Sequence, residues 1–353
     1  MPKITRYVSR TIFMMITMTL VVLSLLDFVF GLIGELKNVT ETYTAIEVVI
    51  HTILILPGHI YNFIPYACLI GVLAGLGLLA STSELVIIRS AGVSVVRIVW
   101  MALRPAIFFI IVAVVIGEYI APYAERNAEA RRDLVRHSWV KPLPQNVWSR
   151  EAGNFMYVEA VKPDGILKGV TRYQFDDQHK LIAASYTETA TYQNGIWHES
   201  NIIVTQINSE NGLVHSHIEK RDWQTDMTPQ LFNILASEPD ELSMRDLHYY
   251  VNYLEQQKLT SSSYSIAFWH KCFQPLAIAS LVLIAISFIF GPLRSVTMSQ
   301  RIFSGVVIGV IFLLLQKLLG PSSLVLGFSP MVAVLIPIVL CISIGVILLR
   351  RAS

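Results

Sequence analysis

The sequence has few charged side chains and few cysteines for its length. Charged residues make up 15% of 353 residues and hydrophobic residues 54%, whereas the charged share of soluble domains is roughly a quarter. This composition excludes a disordered chain. Cys68, Cys272 and Cys341 lie in apolar runs without the spacing of a disulfide framework or a metal site. A net charge of +2, with acids and bases interleaved, gives no sign of nucleic-acid binding.

The charged residues are concentrated in the middle of the chain, because residues 118–271 hold 35 of the 52 charged side chains. The remainder contains six apolar stretches, each close to the roughly 20 residues that a transmembrane helix needs. We predict spans at 11–34, 52–80, 98–120, 270–291, 302–320 and 328–349. The predicted domains are therefore 1–133 with three spans, 134–265 as an insert with a following helix, and 266–353 with three more spans.

Basic residues predict the orientation of the spans, since lysine and arginine accumulate in cytoplasmic loops. With the N-terminus inside, the cytoplasmic segments contain one acid, Glu84, and ten basic residues, namely Lys3, Arg6, Arg10, Arg89, Arg97, Arg104, Arg294, Arg301, Arg350 and Arg351. The short outer loops contain only two basic residues, Lys37 and Lys317. Both termini are expected in the cytoplasm, and the insert is expected outside.

The insert is predicted to be an all-β antiparallel domain followed by a helix. Runs rich in β-branched and aromatic residues occur at 155–161, 169–175, 185–192 and 202–207. Asn194-Gly195 separates two of these runs and is a strong hairpin signal. Ser243, followed by Asp246, is typical of a helix N-terminus. Nothing in the insert has the spacing of a catalytic or metal site.

The catalytic motifs that a membrane enzyme or an ATPase would need are absent from the sequence. It has no Gly-x-x-x-x-Gly-Lys-Ser/Thr loop for nucleotide phosphates and no metalloprotease or serine-hydrolase motif. A lipid-modifying intramembrane enzyme would need an acid and a base at one membrane face, and the nearest pairs, Glu118 with His137 and His270 with Glu255, lack a supporting motif. Asp27 is the one acid deep in a span, where a helix-helix hydrogen bond and a water-facing position are both open.

The cytoplasmic segment 81–92 is predicted to form a short helix. It begins with several N-cap candidates, has Glu84 near the helix N-terminus and ends at Gly92. Four consecutive aliphatic residues, 85–88, are expected to be exposed. A simple connector would not need them, so the segment is interpreted as a helix that docks into a groove of a soluble partner.

Four segments carry a resemblance to a known family: Glu84-Leu-Val-Ile-Ile-Arg-Ser-Ala-Gly92, Phe273-Gln-Pro-Leu276, Ser287-Phe-Ile-Phe-Gly-Pro-Leu-Arg-Ser295, and Gly320-Pro321 through Ser329-Pro330. Together with the layout of three spans, a β domain and three spans, they resemble the LptF/LptG permease family, and more closely its LptG branch. The resemblance implies an α-helical membrane protein with six transmembrane helices and a periplasmic, jelly-roll-like β domain between helices 3 and 4. It implies the bacterial inner membrane as location.

The resemblance also implies a function and partners. The function would be that of a non-catalytic permease subunit of an ABC transporter, which extracts lipopolysaccharide from the outer leaflet of the inner membrane and passes it to a periplasmic bridge. The implied partners are LptF, two copies of the ATPase LptB, LptC and, indirectly, LptA. No cofactor would be bound directly, because ATP would be used by the partner. Glu84, Leu85, Arg89 and Gly92 would belong to the coupling helix that receives the ATPase.

An anionic lipid with several acyl chains needs a basic rim above an apolar cavity. Basic residues just outside the membrane run against the positive-inside trend, and the rim candidates are Lys37, Arg131, Arg132 and Arg136. The family's second basic position after span one is Asn38 here. Interleaved acids leave an ordinary salt-bridged surface open. The cavity candidates are Phe28, Leu32, Ile311 and Leu315, which could equally face the bilayer.

Other functions remain open from the residues alone. A permease for another lipid or a lipoprotein would keep the coupling helix without the basic rim. An intramembrane lipid-modifying enzyme and a purely structural adaptor are further alternatives, and the sequence periodicity does not exclude the adaptor.

The orientation is testable by cysteine labelling in a chain whose three cysteines are replaced by serine. An Asn194→Cys variant should react with a membrane-impermeant maleimide from the periplasmic side, because the hairpin is expected outside. The matched variant Ser353→Cys should react only after the membrane is permeabilised. Labelling of Asn194→Cys only from the cytoplasmic side would reverse the orientation.

Overall fold

A computed structural model gives the fold of the chain. It describes residues 2–40, 42–135, 141–142, 148–151, 154–161, 165–176, 178, 180–208, 212–225, 227–235, 237–257, 261–290 and 296–352.

The helices occur in two groups on either side of a β insertion. The first group is α1 (Pro2–Leu36), α2 (Ala45–Ser81), α3 (Glu84–Ser90), α4 (Val95–Val115), a π-helical turn (Ile116–Ile120) and α5 (Ala121–Val135). The insertion ends in α6 (Pro229–Leu235), a 3-10 turn (Pro239–Glu241) and α7 (Met244–Gln256). The second group is α8 (Ser262–Phe290), α9 (Met298–Leu326) and α10 (Pro330–Ala352).

Six of the described helices are long and apolar enough to cross a membrane, which confirms the predicted number and order of spans. They occupy Lys3–Leu36, Ala45–Ser81, Val95–Glu129, Ser262–Phe290, Ser299–Ser323 and Pro330–Arg351. Most extend beyond the predicted apolar stretches, because polar flanking residues continue the same helices. The predicted fifth span ends at Gly320, whereas α9 continues through Pro321 to Leu326.

Span two is the central helix of the membrane part. A larger share of α2 is buried than of any other span, and α1, α8 and α9 all pack against it. Small residues permit the closest approach: a Cβ added to Gly71 would lie 2.5 Å from the Cα of Ile16. The backbones of spans one and two therefore touch at this point, as small residues in membrane helices commonly allow.

Span three leaves the membrane through a π-helical turn, which places an extra residue in the helix. Gly117 within this turn packs against span two, since a Cβ there would lie 2.3 Å from the Tyr61 ring. The next residue, Glu118, accepts a hydrogen bond from the backbone N–H of Met244 at 2.8 Å. Glu118 thus caps the N-terminus of α7, and its candidate partner His137 lies outside the described residues.

The insertion contains seven described strands in one antiparallel sheet, which confirms the predicted β domain. They are β1 (Lys141–Pro142), β2 (Trp148–Glu151), β3 (Asn154–Val161), β4 (Leu167–Phe175), β5 (Leu181–Gln193), β6 (Ile196–Asn208) and β7 (Gly212–Trp223). The order is β1-β3-β4-β5-β6-β7, with β2 also paired to β3. The sequence reading missed β7, whose exposed, polar residues lack an apolar alternation.

The predicted hairpin at Asn194-Gly195 is confirmed. Gln193 pairs with Ile196, so the loop has two residues, and both have positive φ, 53° and 88°. This is the backbone that a type I′ turn requires and that Asn-Gly adopts readily. The turn consequently sets the register of β5 and β6.

The β insertion is attached to the membrane helices through a shared apolar core. Trp197 is fully buried beside Trp223 and Phe232, and its indole N–H donates to the carbonyl of Met227 at 2.7 Å. The same cluster includes Leu247 of α7 and Ala267 of α8. The core at this end of the sheet therefore continues into the fourth span.

Candidate lipid-binding rim and cytoplasmic coupling helix

The described rim candidates lie at the C-terminal end of span one and on the helix that continues span three. Lys37 directly follows α1 and is exposed, and within the described residues it has no ion-pair partner. Arg131 and Arg132 lie on α5, the helix that continues span three. Arg136 lies outside the described residues, so its predicted role stays a prediction.

Arg131 is bound by a carboxylate at the start of span two. Its guanidinium donates to both oxygens of Glu47, at 2.7 and 3.0 Å. These hydrogen bonds raise the pKa of Arg131 above its ordinary value. The fork-shaped contact matches the geometry that an arginine would use for a phosphate, but the carboxylate already occupies it.

Arg132 connects span one to α5. It contacts Glu35 at 3.1 Å and Glu129 at 3.7 Å. The acids that the sequence interleaves with the arginines thus neutralise both Arg131 and Arg132. Lys37 is the rim cation that the described residues leave available, and a phosphate would have to compete with carboxylates for the two arginines.

The apolar candidates lie on two spans that flank α2. Phe28 and Leu32 of span one and Leu315 of span five are half-buried, and Ile311 is exposed. Their neighbour Phe312 packs into the core, with 2% of its surface exposed. Spans one and five both pack on span two and hardly on each other. They form two separate walls on span two.

A polar contact between spans one and two was not predicted from the sequence. His59 Nδ1 lies 2.6 Å from Asp27 Oδ2, and both side chains are partly exposed. Of the two positions left open for Asp27, the structure has the helix-helix contact. The sequence indicated only that Asp27, a lone acid in an apolar run, needs a polar partner. It did not identify the partner, because His59 lies 32 residues away along the chain.

A half-buried lysine in the N-terminal part of span four was also missed. Lys271 Nζ lies 5.3 Å from the centre of the Tyr61 ring and 3.5 Å from the carbonyl oxygen of Gly117. It lines a cavity of about 370 Å³ among spans two, four, five and six, beside His270 and Asp240. A π-turn carbonyl and an aromatic face surround this cation, a contact that depends on three separate helices.

The predicted cytoplasmic helix is present as α3, and Gly92 follows it with a φ of +84°. Glu84 begins the helix and accepts a hydrogen bond from the Thr82 hydroxyl at 3.1 Å. Arg89 is exposed, with its guanidinium carbon 5.6 Å from the centre of the Phe290 ring. The helix is therefore fixed against span four at its C-terminal end.

The expectation that four aliphatic residues of α3 are exposed is wrong for two of them. Leu85 and Ile88 are buried, with 6% and 7% of their surface exposed, whereas Val86 and Ile87 are 59% and 64% exposed. Helical periodicity explains the difference, since residues three apart share a face. Leu85 contacts the membrane core, and Val86 and Ile87 form the outward apolar tip.

A simple channel for acyl chains would require a purely apolar face of the β sheet. The buried face of this sheet also contains charged residues. Glu199 is buried and accepts hydrogen bonds from Arg172 at 2.6 Å, Arg221 at 2.8 Å and the Thr187 hydroxyl at 3.1 Å. The Arg172 guanidinium also lies over Trp223. This charged cluster separates the apolar end of the sheet near the membrane from Ile202 and Val204 farther along.

The described residues contain no cluster of three or more histidine, cysteine, aspartate or glutamate side chains that could hold a metal ion.

Comparison with known proteins agrees with this arrangement. The family model for the lipopolysaccharide export system permeases LptF/LptG matches residues 6–351. The chain belongs to the LptF/LptG family.

Two relatives place this LptF/LptG-family chain on the LptG branch. It is 34% identical over 352 residues to the lipopolysaccharide export system permease protein LptG of Escherichia coli K12, covering 99% of this chain and 98% of the relative. It is 32% identical over 341 residues to the protein of that name from Haemophilus influenzae, covering 96% and 95%. The family's membrane architecture thus extends over the whole chain.

The ion pairs of the rim lead to a mutational test in this family member. Glu35→Gln and Arg132→Gln should each lower the unfolding temperature of the full-length protein in detergent, because each removes one charge of a half-buried ion pair. The double variant should cost less than the sum of the two, with a coupling of about 1 kcal/mol.

The matched control combines Glu35→Gln with Arg126→Gln. Arg126 lies on the same helix but pairs with Asp246, so these two effects should add. Additive effects for Glu35 and Arg132 would show that this ion pair is not formed in solution.

Proposed function

We propose that this chain is a permease subunit of an ABC transporter that extracts lipopolysaccharide from the outer leaflet of the inner membrane. The single observation that supports this most is the full-length similarity to proteins named lipopolysaccharide export permeases. The location of cations at the outer ends of the spans agrees with an anionic lipid as substrate.

The substrate-binding residues in this proposal are Lys37 and Arg132 at the rim, with Arg131 and Arg136 beside them. Phe28 and Leu32 of span one and Ile311 and Leu315 of span five form the apolar walls below. Spans one and five have the least buried surfaces of the six spans, so apolar side chains there remain available for a lipid or a second subunit. Because the two walls are separate, closing the cavity requires a related subunit, for which LptF is the candidate.

Lipid extraction needs an external source of energy. Burial in the bilayer contributes about 0.8 kcal/mol per methylene, so one acyl chain of about a dozen carbons costs on the order of 10 kcal/mol to withdraw. The sequence carries no phosphate-binding loop. The chain is therefore a non-catalytic subunit without a directly bound cofactor, and ATP is hydrolysed by a separate partner, for which two copies of LptB are the candidates.

The β insertion is the exit side of the pathway in this proposal. With both termini cytoplasmic, the sheet lies in the periplasm, above the rim. The described strand β7 pairs with β6 along one side, and an open strand edge is a surface to which a further sheet can pair. Similar β domains of LptC and LptA would continue the bridge there.

The substrate assignment is testable by photocrosslinking in inner-membrane vesicles that contain lipopolysaccharide and the co-purifying ATPase. A photoreactive amino acid at Lys37, Arg132 or Leu315 should form lipopolysaccharide adducts, because these positions line the rim and the wall. A probe at Val339 serves as the control, since this side chain is 54% exposed but lies on span six.

Absence of adducts at all three positions would remove lipopolysaccharide as the substrate. Adducts with phospholipid at the same positions would indicate a permease for another lipid. Equal labelling at Val339 would show only that the probes face the bilayer.

The coupling assignment predicts that Glu84→Ala and Arg89→Ala weaken the association with the ATPase, measured by co-purification and by ATP hydrolysis in vesicles. An interface residue at the centre of a contact typically contributes about 1–2 kcal/mol or more, so at least about a fivefold loss of affinity is expected. The control is Arg351→Ala, which removes one exposed cytoplasmic arginine from the end of α10. An intact complex with normal transport in both variants would exclude α3 as the coupling helix.

A further inference from the structure

A second basic site lies at the cytoplasmic end of the chain, on the opposite side of the membrane from the rim. A cavity of about 860 Å³ opens between α1 and α4, the first and third spans. Its lining includes four arginines, Arg6, Arg10, Arg97 and Arg104, with Phe13 and Pro105 as apolar neighbours. No residue of this lining is acidic.

The lining of this cavity holds no acidic residue that would balance its positive charge. Within the described residues, Arg6, Arg10 and Arg104 form no ion pair. From residue 1 to Leu26 and from Val48 to Gly117, the sequence contains one acid, Glu84. That acid belongs to α3, where Thr82 donates to it. The arginine cluster therefore differs from the outer rim, where carboxylates occupy Arg131 and Arg132.

The depth of the cavity matches the lipid headgroups. Between Arg10 and Asp27 span one carries no charged residue, and between Arg104 and Glu118 span three carries none. The arginines thus mark the polar-to-apolar boundary on both helices, where the phosphates of the inner leaflet lie. Phe13 and Pro105 belong to the first apolar turn and would contact the start of an acyl chain.

The two helices hold the arginines in a defined arrangement. The Ser9 hydroxyl donates to the carbonyl of Met101 at 2.7 Å, which joins α1 to α4 within the cavity region. Arg6 and Arg10 are four residues apart and share one face of α1, and Arg97 and Arg104 are two helical turns apart on α4. Guanidinium groups from two helices can therefore approach one phosphate, and their planar forks suit its oxygens.

We infer that this cavity binds the phosphate headgroup of an anionic phospholipid from the cytoplasmic leaflet. Basic pockets between membrane helices on this side are typical sites for such headgroups. An acidic protein surface would satisfy the charge but not the apolar floor at hydrocarbon depth, so the lipid is favoured. The site would anchor spans one and three to the leaflet opposite the one from which the proposed substrate is taken, and it does not depend on the identity of that substrate.

The test is native mass spectrometry of the full-length chain, purified in detergent with the subunits that remain bound, during titration with phosphatidylglycerol. The unmodified protein should retain phosphatidylglycerol saturably and phosphatidylcholine weakly. The variant Arg10→Gln/Arg104→Gln should bind phosphatidylglycerol about 30-fold more weakly, because two arginine contacts to an anionic headgroup are lost. Glycerol phosphate, added as a soluble competitor, tests whether the headgroup alone is sufficient.

The matched control is Arg350→Gln/Arg351→Gln, which removes two cytoplasmic arginines from the last turn of α10, outside the cavity. This control should keep its affinity within about threefold, since diffuse surface charge alone would weaken both variants equally. The single variants Arg10→Lys and Arg104→Lys keep the positive charge but lose the paired N–H donors of the guanidinium. They test the site if the double variant fails to fold. At least one of them should weaken binding with an unchanged unfolding temperature.

Three results would overturn the assignment. Equal affinity for phosphatidylglycerol and phosphatidylcholine would show that the arginines do not select the headgroup. Equal loss in the cavity variant and the α10 control would show diffuse attraction without a site. Displacement of the lipid by the ATPase, with weaker ATPase binding by the cavity variant, would identify the occupant as a protein surface.

Discussion

The packing of span one against span two is the contact on which the other parts of the molecule depend. Glycines at 71 and 75 bring α2 so close to α1 that an added Cβ would lie 2.5 and 3.1 Å from backbone atoms of Ile16 and Ile12. In a bilayer no hydrophobic effect drives helices together, so such close van der Waals contact must hold them. Span two, held in this way, is the support for spans one, four and five.

Polar groups are attached to this apolar support at its two ends, with different electrostatics. At the end where α5 lies, Glu47 and Glu35 compensate Arg131 and Arg132, which ties α5 to spans one and two. At the opposite end, four arginines face one cavity without an acidic neighbour in its lining. Charge density alone does not distinguish these ends. The arrangement of carboxylates does, because a guanidinium paired with a carboxylate holds helices together, whereas a cavity lined only by basic and neutral side chains suits an anionic group.

Several features were predictable because their signals are local. Apolar runs predict spans, since the thickness of the hydrocarbon core determines helix length. Asn194-Gly195 predicts a hairpin because both residues accept positive φ. The signals failed where a feature depends on distant residues. Leu85 and Ile88 were expected on the surface because the sequence does not show which face of a short helix meets the core, and β7 lacks the alternation by which strands are recognised.

The sequence by itself determined the membrane class, the six spans, the inserted β domain, the family and the excess of basic residues on one side. These follow from composition and local periodicity, which reflect transfer between water and lipid. Only the tertiary structure decided which cations are compensated, that Asp27 pairs with His59, and that Lys271 meets a π-turn carbonyl. The physical reason is that ion pairs and cavities depend on distances between helices, and a single contact, such as that of Lys271 with Gly117, joins residues 154 positions apart along the chain.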